Sequence, residues 1–436
     1  MMAAVDALGR SPPPRTSVDV RWSTINWAFN INCPPEKPEG VYLVSSLPSQ
    51  TPLCIDGRML RRSGTGVSTY AHSLLDTVES LGGRPYLLSA VREGDGRLVR
   101  WMGATGLAPR HVAEVPSIGA AVGRLIGRDI FRRAHIHFGL YRRLMPISCS
   151  LAPGVMHWTY PVPLVMEGWT NLYTVHDAIP LVRPDLTPIS QRRHRAVLAA
   201  VGAEAHRLIT VSEAAKRDIV EALQCDPALV VNCGQPVDIR GERVPSAQHG
   251  LRRKGYLLFC GSIEPRKNLS TLLAAYRRSG VEEPLVLVGP DGWRVAEIAR
   301  EIERTPGAIR LPFVTRAELL GLIEGARGLL FPSLAEGFGL PVAEAMALGT
   351  AVLTSDRGAL AEVAGGAALL VDPEDPAAIA IGIGLIARDN AIANNLSELG
   401  RMRARAFSRE SFIERLTEVY QVAFAIRRNR VYQGAN

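Results

Sequence analysis

The sequence predicts an α/β fold in which two domains each carry a doubly wound parallel sheet. The chain has 436 residues, enough for two ordinary domains with separate hydrophobic cores. Short apolar runs typical of buried strands alternate with amphipathic helical stretches over most of its length. A polar, broken segment at residues 238–254 predicts a linker. The two domains are therefore predicted at residues 51–237 and 255–405.

The two ends of the chain differ from this alternating body. Residues 1–50 are rich in Pro and Ser and show no stable periodicity, so they are predicted to be a poorly ordered N-terminal extension. Residues 406–436 follow the second domain and contain one amphipathic stretch, Ser411–Ile426. This stretch predicts a final helix, followed by a short tail.

Composition is that of a folded globular protein. Hydrophobic residues make up 47% and charged residues 21%, which is too apolar for a disordered chain. The six cysteines are scattered without a Cys-x-x-Cys pair, so neither a disulfide framework nor a zinc site is predicted. The most apolar segment, Pro376–Ala387, is about half the roughly 20 residues that a membrane-spanning helix needs, and no secretory signal is recognised. A cytoplasmic location is expected.

The first strand is predicted at Leu53–Asp56 and is followed by the loop RSGTGVSTY and a helix at about Ser68–Leu81. Gly64 and Gly66 lie in this loop, before the helix. Glycine loops of this kind let backbone N–H groups approach a phosphate. A single Gly-x-Gly has low specificity, so a phosphate-binding role depends on what the rest of the chain indicates.

Two polar pairs follow later strands of the first half. His176 and Asp177 come after the short strand-like run Leu172–Val175. A histidine at a strand end is commonly a packed structural residue, and Asp177 is suited to turning the loop. Ser212 and Glu213 are typical of a helix N-cap and a first-turn acid, and we interpret them as structural.

The second domain is predicted to begin with a buried strand at Tyr256–Cys260, with Asn268 capping the helix that follows. Arg266 and Lys267 lie in the strand-to-helix loop, which is where open α/β sheets bind ligands. The compact ammonium of a lysine suits a phosphate oxygen as a point charge. The alternative is an exposed basic pair on a solvated turn.

The stretch PSLAEGFGLPVAEAMALG sets two carboxylates, Glu336 and Glu344, on either side of a Gly-Phe-Gly-Leu-Pro break. Pro341 suits the first position of a helix. Gly339 and Leu340 before it have no side-chain oxygen to cap that helix, so free N–H groups and the helix dipole favour an anion there. A diphosphate with a sugar on one side and a ribose on the other would fit. The alternative is a helix start that binds nothing, with Glu344 only a dipole partner.

The motifs EPRKN, EGFGLPVAEAMALGTAVLTSD and EVAGGAALLVDPED, in this order, resemble the C-terminal half of glycosyltransferase family 4. Further similarity in the N-terminal half lies in IDGRMLRRSGTGVSTYAHSLL, TVHDAIPL and LITVSEAAKRDIVEAL, so the resemblance runs from about Leu53 to about Tyr420. It implies a GT-B fold, in which two Rossmann-like domains face each other across a cleft. The first would bind the acceptor and the second a nucleotide-diphosphate sugar. The last helix would cross back onto the first domain.

The resemblance also implies roles for individual residues. The candidate catalytic residues that it implies are His176, Glu336, Arg266 and Lys267. The candidate residues for binding the nucleotide sugar are Gly64, Gly66, Arg266, Lys267, Phe338, Gly339, Leu340 and Glu344. His176 would position and polarise the transferred sugar, and Glu336 would lie closest to it. Glu344 would bind the ribose hydroxyls.

Charge develops on the leaving diphosphate, so electrostatic stabilisation by Arg266, Lys267 and free amides should be the largest catalytic contribution. The resemblance implies retention by a front-face mechanism, in which the leaving phosphate helps to deprotonate the acceptor. The sequence element closest to the metal-binding Asp-x-Asp pair of other transferases is DPED at residues 372–375, in a loop that the family does not use for metal. No metal and no cofactor are therefore predicted.

The donor is predicted to be GDP-mannose, because TVHDAIPL together with LVGPDGW is similar to mannosyltransferases of exopolysaccharide pathways. A UDP-sugar such as UDP-glucose is the alternative. The chain departs from many family members at Asp356, Arg357 and Gly358, a segment near the base and diphosphate in the family, which leaves the base preference open.

The acceptor is expected to be a saccharide, either free or linked to a polyprenyl diphosphate. The net charge of +8 suits a negatively charged surface. Six arginines lie among apolar residues in RLIGRDIFRRAHIHFGLYRRLMP, which predicts a basic amphipathic helix on an anionic membrane at the inner face of the cytoplasmic membrane. They are Arg124, Arg128, Arg132, Arg133, Arg142 and Arg143. An ordinary surface helix of the first domain is the alternative.

Other classes of protein fit the sequence less well. A glycoside hydrolase would also use two carboxylates, but it would not need the basic loop at residues 266–267. The arginines are spread through both predicted domains without a recognised nucleic-acid-binding motif, so no nucleic-acid partner is predicted. A protein that binds a sugar nucleotide without turnover remains an alternative.

Overall fold

The computed structural model describes residues 51–61, 65–91, 111–115, 123–311 and 313–433, without the side chains of residues 427–433. It contains two α/β domains, and the predicted fold class is confirmed. The predicted extension at residues 1–50 lies outside the described residues, as does Gly64.

The first domain is built on a sheet of eight strands, joined by a small two-stranded sheet. The strands are β1 (Leu53–Asp56), β2 (Tyr86–Val91), β3 (Ala113–Val115), β4 (Arg124–Arg128), β5 (Met145–Ile147), β6 (Val155–Trp158), β7 (Leu164–Met166), β8 (Thr170–Thr174), β9 (Arg207–Thr210) and β10 (Val230–Asn232). The large sheet has the order β10-β9-β8-β6-β1-β2-β4-β3, and β5 pairs with β7. Every neighbouring pair of the large sheet is parallel except β3 with β4.

Helices connect these strands, as parallel pairing requires. They are α1 (Gly66–Ser80), α2 (Ile130–Tyr141), α3 (Ile179–Val182), α4 (Gln191–Glu204) and α5 (Glu213–Leu223), with 3₁₀ turns at Met59–Arg61, Pro184–Leu186 and Pro227–Leu229. The central strands β1, β6 and β8 are buried along their whole length because helices cover both faces of the sheet. This explains their continuous apolar character.

The second domain has an all-parallel sheet of six strands in the order β13-β12-β11-β14-β15-β16. The strands are β11 (Leu257–Cys260), β12 (Leu285–Val288), β13 (Ala308–Leu311), β14 (Gly328–Phe331), β15 (Ala351–Ser355) and β16 (Leu369–Val371). The helices are α6 (Leu269–Ser279), α7 (Val295–Glu303), α8 (Arg316–Gly325), α9 (Leu340–Leu348), α10 (Gly358–Ala364), α11 (Pro376–Arg388) and α12 (Asn390–Ala404). Further 3₁₀ turns lie at Ser246–His249, Pro265–Lys267 and Arg405–Phe407.

The strand order reverses between β11 and β14, so the loops that follow these two strands open side by side at one edge of the sheet. These are the loops that carry Arg266 and Lys267 after β11, and Glu336 after β14. The topology alone therefore brings together two motifs that lie about 70 residues apart in the sequence.

The last helix, α13 (Arg409–Gln433), runs from the second domain onto the first. The guanidinium of Arg409 donates to the backbone carbonyl of Asp76 on α1, and the hydroxyl of Tyr420 lies 2.8 Å from Nδ1 of His157 on β6. Tyr420 is fully buried, so α13 contributes a side chain to the core of the first domain.

Three local expectations are wrong. The basic segment around residues 124–143 is not one amphipathic helix, because β4 and α2 divide it and Arg133 turns inward, with only 8% of its surface exposed. Asn268 occupies the N-cap position of α6, but its side-chain amide donates instead to the carbonyls of Pro332 and Pro373. Helix α9 begins at Leu340, which places Pro341 at its second position.

Among the described residues, no single helix is both long enough and apolar enough to span a bilayer, and Pro376–Arg388 with Asn390–Ile426 meets the requirement only as a pair bent by 95°. The five cysteines that the structure describes are free thiols.

Candidate active site

Two basic side chains converge on one carboxylate where the loops after β11 and β14 meet. Nζ of Lys267 lies 2.6 Å from Oε1 of Glu336, and Nη1 of Arg266 lies 2.7 Å from Oε2. Arg266 also donates to the carbonyl of Ala335 and to Oε1 of Glu264. The two cations are thus held by two carboxylates, and the predicted alternative of a solvated basic turn is wrong.

The burial of this cluster determines its electrostatics. Burial alone would raise the pKa of Glu336, but Arg266 and Lys267 outweigh it and lower this pKa to about 2. Burial lowers the pKa of Lys267 in spite of the carboxylate beside it. The ammonium of Lys267 also lies 4.7 Å from the ring centre of Phe331, a cation–π contact. Glu336 is therefore an ionised anchor for the two cations and cannot act as a general acid near neutral pH.

The second carboxylate of the motif lies in a different environment. Glu344, in the middle of α9, is 2% exposed, and its Oε1 lies 2.6 Å from Nη2 of Arg316. Burial raises the pKa of Glu344, while Arg316 partly offsets this effect. Arg316 is the first residue of α8 and also donates to the carbonyl of Asp238. The sequence motifs did not point to Arg316. It is the first residue of a separate helix, whose N-cap Thr315 takes part in an ordinary capping box.

His176 faces the second domain from the loop after β8. Its Nε2 lies 3.1 Å from the carbonyl oxygen of Thr159, and its ring packs edge-on against Tyr70. Burial lowers the pKa of His176, so the ring is neutral near pH 7. Because a carbonyl can only accept, the proton of the neutral ring lies on Nε2 and leaves Nδ1 as an acceptor.

The two domains contact each other directly beside His176. A Cβ atom on Gly337 would lie 2.5 Å from the carbonyl oxygen of His176, so only glycine permits this approach. Ser212 caps α5 as predicted, and its hydroxyl also donates across the interface to the carbonyl of Gly337. Glu362 on α10 accepts hydrogen bonds from the first two N–H groups of α5. The carboxylate of Glu362, on the other domain, thereby offsets the partial positive charge at the start of α5.

A cavity of about 200 Å³ lies in this cleft. The first domain lines it with His176, Tyr160 and other residues, and the second with Glu264, Arg266 and Trp293. Sequence reasoning did not single out Tyr160, Glu264 or Trp293, although Glu264 and Trp293 lie within the motifs EPRKN and LVGPDGW.

The remaining predicted binding residues that the structure describes are Gly66, Phe338, Gly339 and Leu340. Gly66 is the first residue of α1 and has open space around its α-carbon, while Thr65 caps the helix. Gly339, at φ 100°, is the N-cap of α9, which no side chain caps, and Leu340 is its first residue. The ring of Phe338 packs edge-on against Phe407 and is 5% exposed. Phe338 is thus available to a ligand only through its backbone.

In the part of the chain that the structure describes, no group of three or more His, Cys, Asp or Glu side chains is arranged to hold a metal ion. The acidic residues of DPED are engaged in other contacts. Asp372 and Glu374 both face the guanidinium of Arg357. Asp375 caps α11.

Comparison with known proteins gives three findings. Residues 245–403 match the family described as glycosyl transferases group 1. The chain is similar to O-antigen chain mannosyltransferase B of Escherichia coli, with 31% identity over 264 residues, which is 57% of this chain and 69% of that protein. It is also similar to the serotype-specific mannosyltransferase WbdA of Escherichia coli, with 28% identity over 237 residues, which is half of this chain but only 29% of WbdA.

Among solved structures, HepE of Anabaena in complex with UDP and glucose superposes with a TM-score of 0.62. The match covers 85% of this chain and 99% of HepE at 16% identity, and therefore concerns the fold alone. The neighbouring structures are GT-B glycosyltransferases, which confirms the predicted arrangement of two parallel-sheet domains.

Proposed function

The chain belongs to the group 1 glycosyltransferases, and we propose that it transfers a hexose, with retention, from a nucleotide-diphosphate sugar to a saccharide acceptor in polysaccharide biosynthesis. The observation that carries the proposal is the buried cluster in which Arg266 and Lys267 converge on Glu336 at the edge of the second sheet. It lies where open α/β sheets bind nucleotides, and it supplies positive charge to a leaving diphosphate.

In this proposal, Arg266 and Lys267 stabilise the charge that develops as the bond between the anomeric carbon and the diphosphate breaks. Glu336 keeps both cations in place before the donor arrives, so little reorganisation is needed during the reaction. The acceptor oxygen attacks on the face that the diphosphate leaves, and its proton passes to an oxygen of the leaving phosphate. The configuration of the sugar is then retained.

The neutral ring of His176 suits a positioning role at the transferred sugar. With its proton on Nε2 bound to the carbonyl of Thr159, Nδ1 is available to accept from a sugar hydroxyl. Glu344 is proposed to accept from the ribose hydroxyls. Its partner Arg316 would keep the carboxylate oriented.

GDP-mannose is the proposed donor. Two mannosyltransferases among the relatives support it. A UDP-sugar is the second candidate, because HepE shares the fold and was solved with UDP and glucose. Calorimetric titration of GDP, UDP and ADP would separate these donors, with GDP expected to bind most tightly.

Lys267→Ala and Glu344→Ala are each expected to lose this binding. The matched controls are Lys216→Ala on α5 and Glu297→Ala on α7, which remove the same charges at residues that do not line the cavity. If no nucleotide binds, or if the controls weaken binding as much, the proposed site is wrong. If binding is normal but no acceptor is glycosylated, the chain is a sugar-nucleotide binder without turnover.

Activity is proposed to need no metal ion. The acidic pair that most resembles a metal ligand set, Asp372 and Glu374, is already engaged with Arg357. The positive charges proposed to stabilise the diphosphate belong to the side chains of Arg266 and Lys267, not to a metal ion. A transfer rate that a chelator abolishes and added Mg²⁺ restores would contradict this proposal.

A lipid-linked saccharide is the proposed acceptor, with the protein bound peripherally at the inner face of the cytoplasmic membrane. Exposed arginines at both ends of α2 support a contact with an anionic surface, since Arg142 and Arg143 follow exposed Leu140 and Tyr141, and Arg132 is exposed in the first turn. Arg133 is buried and takes no part.

Sedimentation with phosphatidylglycerol vesicles would test this contact. The variant in which Arg132, Arg142 and Arg143 are changed to Gln is expected to sediment less than the wild type. A variant with Arg252, Arg253 and Arg300 changed to Gln removes the same charge elsewhere and is expected to behave as the wild type. Equal sedimentation of all three proteins would contradict the contact.

A further inference from the structure

A groove of about 530 Å³ opens on the first domain between α2 and the first turn of α4. Four arginines line it from two separate helices, Arg132 and Arg142 from α2 and its C-cap, and Arg192 and Arg193 from α4. The ring of Phe138 contributes an apolar part of the wall. The sequence separates the two pairs by about 50 residues, so only the fold shows that they share one groove.

Among the described residues that line this groove there is no carboxylate. Within the described ranges, none of the four arginines forms an ion pair with Asp or Glu, and Arg193 donates only to the backbone carbonyl of His135, at 3.5 Å. The arginines of the cleft differ, since Arg266 and Arg316 both face carboxylates. Like charges held together without a counter-charge repel one another, which an incoming anion relieves.

Two further groups make the groove suitable for an anion. Burial lowers the pKa of His135, and Arg193 and Arg58 lower it further, as expected in a region of positive potential. The groove also reaches the start of α4, where Ser190 is the N-cap and the helix dipole adds partial positive charge. Planar guanidinium groups bind phosphate oxygens in pairs, which favours a phosphate ester over a single halide ion.

The groove is adjacent to the proposed active site. Ile189 lines the cleft, whereas the next residue, Ser190, lines the groove, and neighbouring Cα atoms are about 3.8 Å apart. Likewise, His194 lines the cleft and the preceding residue, Arg193, lines the groove. The cleft and the groove therefore share the first turn of α4, which places the groove within reach of a ligand that extends out of the cleft around this turn.

We infer that this groove binds the phosphate or diphosphate of an anionic acceptor whose saccharide end lies in the cleft. The inference rests on the proposed glycosyl transfer, since it assigns the acceptor a chemical class and a place on the first domain. Four guanidinium groups supply more than enough positive charge to neutralise a diphosphate ester. The donor diphosphate belongs to the second domain, so the two anions do not compete for the same arginines.

Inorganic pyrophosphate is the probe for this site, titrated calorimetrically into the full-length protein that has been saturated with its preferred nucleotide. The double variant Arg192→Gln/Arg193→Gln is expected to raise the Kd of pyrophosphate at least about tenfold, because it removes two charge-assisted contacts. The matched control is Arg252→Gln/Arg253→Gln, an adjacent pair of exposed arginines elsewhere on the chain. The control is expected to change the Kd less than about twofold.

Three outcomes would overturn the inference. The wild type fails to bind pyrophosphate once nucleotide is saturating, the control loses as much affinity as the groove variant, or the groove variant loses vesicle binding while pyrophosphate binding is unchanged. The last result would assign the arginines to lipid headgroups. Nucleotide affinity, measured separately, reports on the donor site, so its failure is distinguishable from failure of the groove.

Discussion

The wall of the cleft that the second domain builds carries a buried cluster of paired charges, whereas the wall that the first domain builds is mostly neutral, with Asp177 as the carboxylate that lines it. On the second domain, Arg266 and Lys267 share the carboxylate of Glu336 in a buried cluster. On the first domain, His176 is kept neutral by burial, and its ring rests on Tyr70. The difference matches the proposed ligands, because a diphosphate needs charge and a sugar needs hydrogen bonds.

The two glutamates of the second domain show how strongly the immediate surroundings decide the behaviour of one residue type. Glu336 has two cationic partners within hydrogen-bond distance, and its pKa is lowered to about 2. Glu344 is also buried but has one partner, Arg316, whose side chain is 43% exposed, and the pKa of Glu344 is raised. The number of cationic partners, rather than burial, accounts for the opposite pKa shifts of the two glutamates.

The largest expected effect is on the charged wall. Lys267→Ala is expected to lower kcat on the order of 10²–10³-fold, because it removes the buried cation that is proposed to stabilise the leaving diphosphate. Steady-state kinetics with the donor established by calorimetry would measure it. The control Lys216→Ala is expected to keep the rate of the wild type. A loss below tenfold in Lys267→Ala would contradict the electrostatic role.

The second prediction uses the opposite pKa shifts of the two glutamates. The pKa of Glu336 is lowered from 4.5 to about 2, so its ionised form contributes stability above pH ~4.5 that is lost as the pH falls toward 2. This contribution is on the order of 3 kcal/mol. The free-energy difference of unfolding between wild type and Glu336→Gln should therefore shrink by about this amount as the pH falls, as measured by denaturant unfolding.

Glu344→Gln is the counterpart to this variant. The pKa of Glu344 is raised, so the stability it contributes is present below pH ~4.5 and is lost as the pH rises through its folded-state pKa. Relative to the wild type, Glu344→Gln should become more stable as the pH rises, which is the opposite sign. The same pH trend in both variants would contradict the contrast between the two environments.

The third prediction concerns the neutral wall and the helix behind it. Nδ1 of His157 lies 2.8 Å from the hydroxyl of Tyr420, and its Nε2 lies 2.8 Å from Oγ1 of Thr174, which in turn reaches the hydroxyl of Tyr70. Tyr420→Phe should leave a buried ring nitrogen unpaired and cost roughly 1–3 kcal/mol of unfolding free energy.

Denaturant unfolding monitored by circular dichroism would measure this cost. The exposed Tyr141→Phe removes the same atom elsewhere and should change stability by less than about 0.5 kcal/mol. Equal stability of Tyr420→Phe and the wild type would show that α13 is held by apolar packing alone.

The smallest expected effect is the pH response of the neutral wall. Burial lowers the pKa of His176 below its ordinary value of 6.5, so its ring should stay mostly neutral as the pH falls from 8 to about 6.5. The kcat/KM of the wild type should be flat over this range. A step in that range that disappears in His176→Gln would contradict a neutral, positioning histidine.

Much of the fold and part of the candidate site follow from contiguous motifs. The predicted first strand matches β1 at Leu53–Asp56, and the predicted helix at about Ser68–Leu81 corresponds to α1 at Gly66–Ser80. The family resemblance is confirmed, since it depends on short motifs whose order is visible in the chain. The roles assigned to individual site residues stay predictions.

The sequence pattern gave a wrong prediction where one segment forms both a strand and a helix. The arginine-rich segment at residues 124–143 has the composition of an amphipathic helix, yet β4 pairs with β2 and turns sharply at Asp129, which adopts φ 44°. Pairing with a strand outside the segment overrides its local preference. Arg133, on α2, points inward, where its guanidinium donates to the backbone carbonyl of Arg128.

The amino-acid order alone specifies the alternation of strands and helices and the residue types in each loop, because hydrophobic periodicity and capping act over a few residues. The partners of those residues are decided by strand order and by the closure of the two domains. Arg316 meets Glu344 and Ser212 meets Gly337 only in the folded chain, and only there do Arg132 and Arg192 line one groove. Each pair is separated by tens of residues or more, so its contact depends on topology and on long-range packing, which no local pattern encodes.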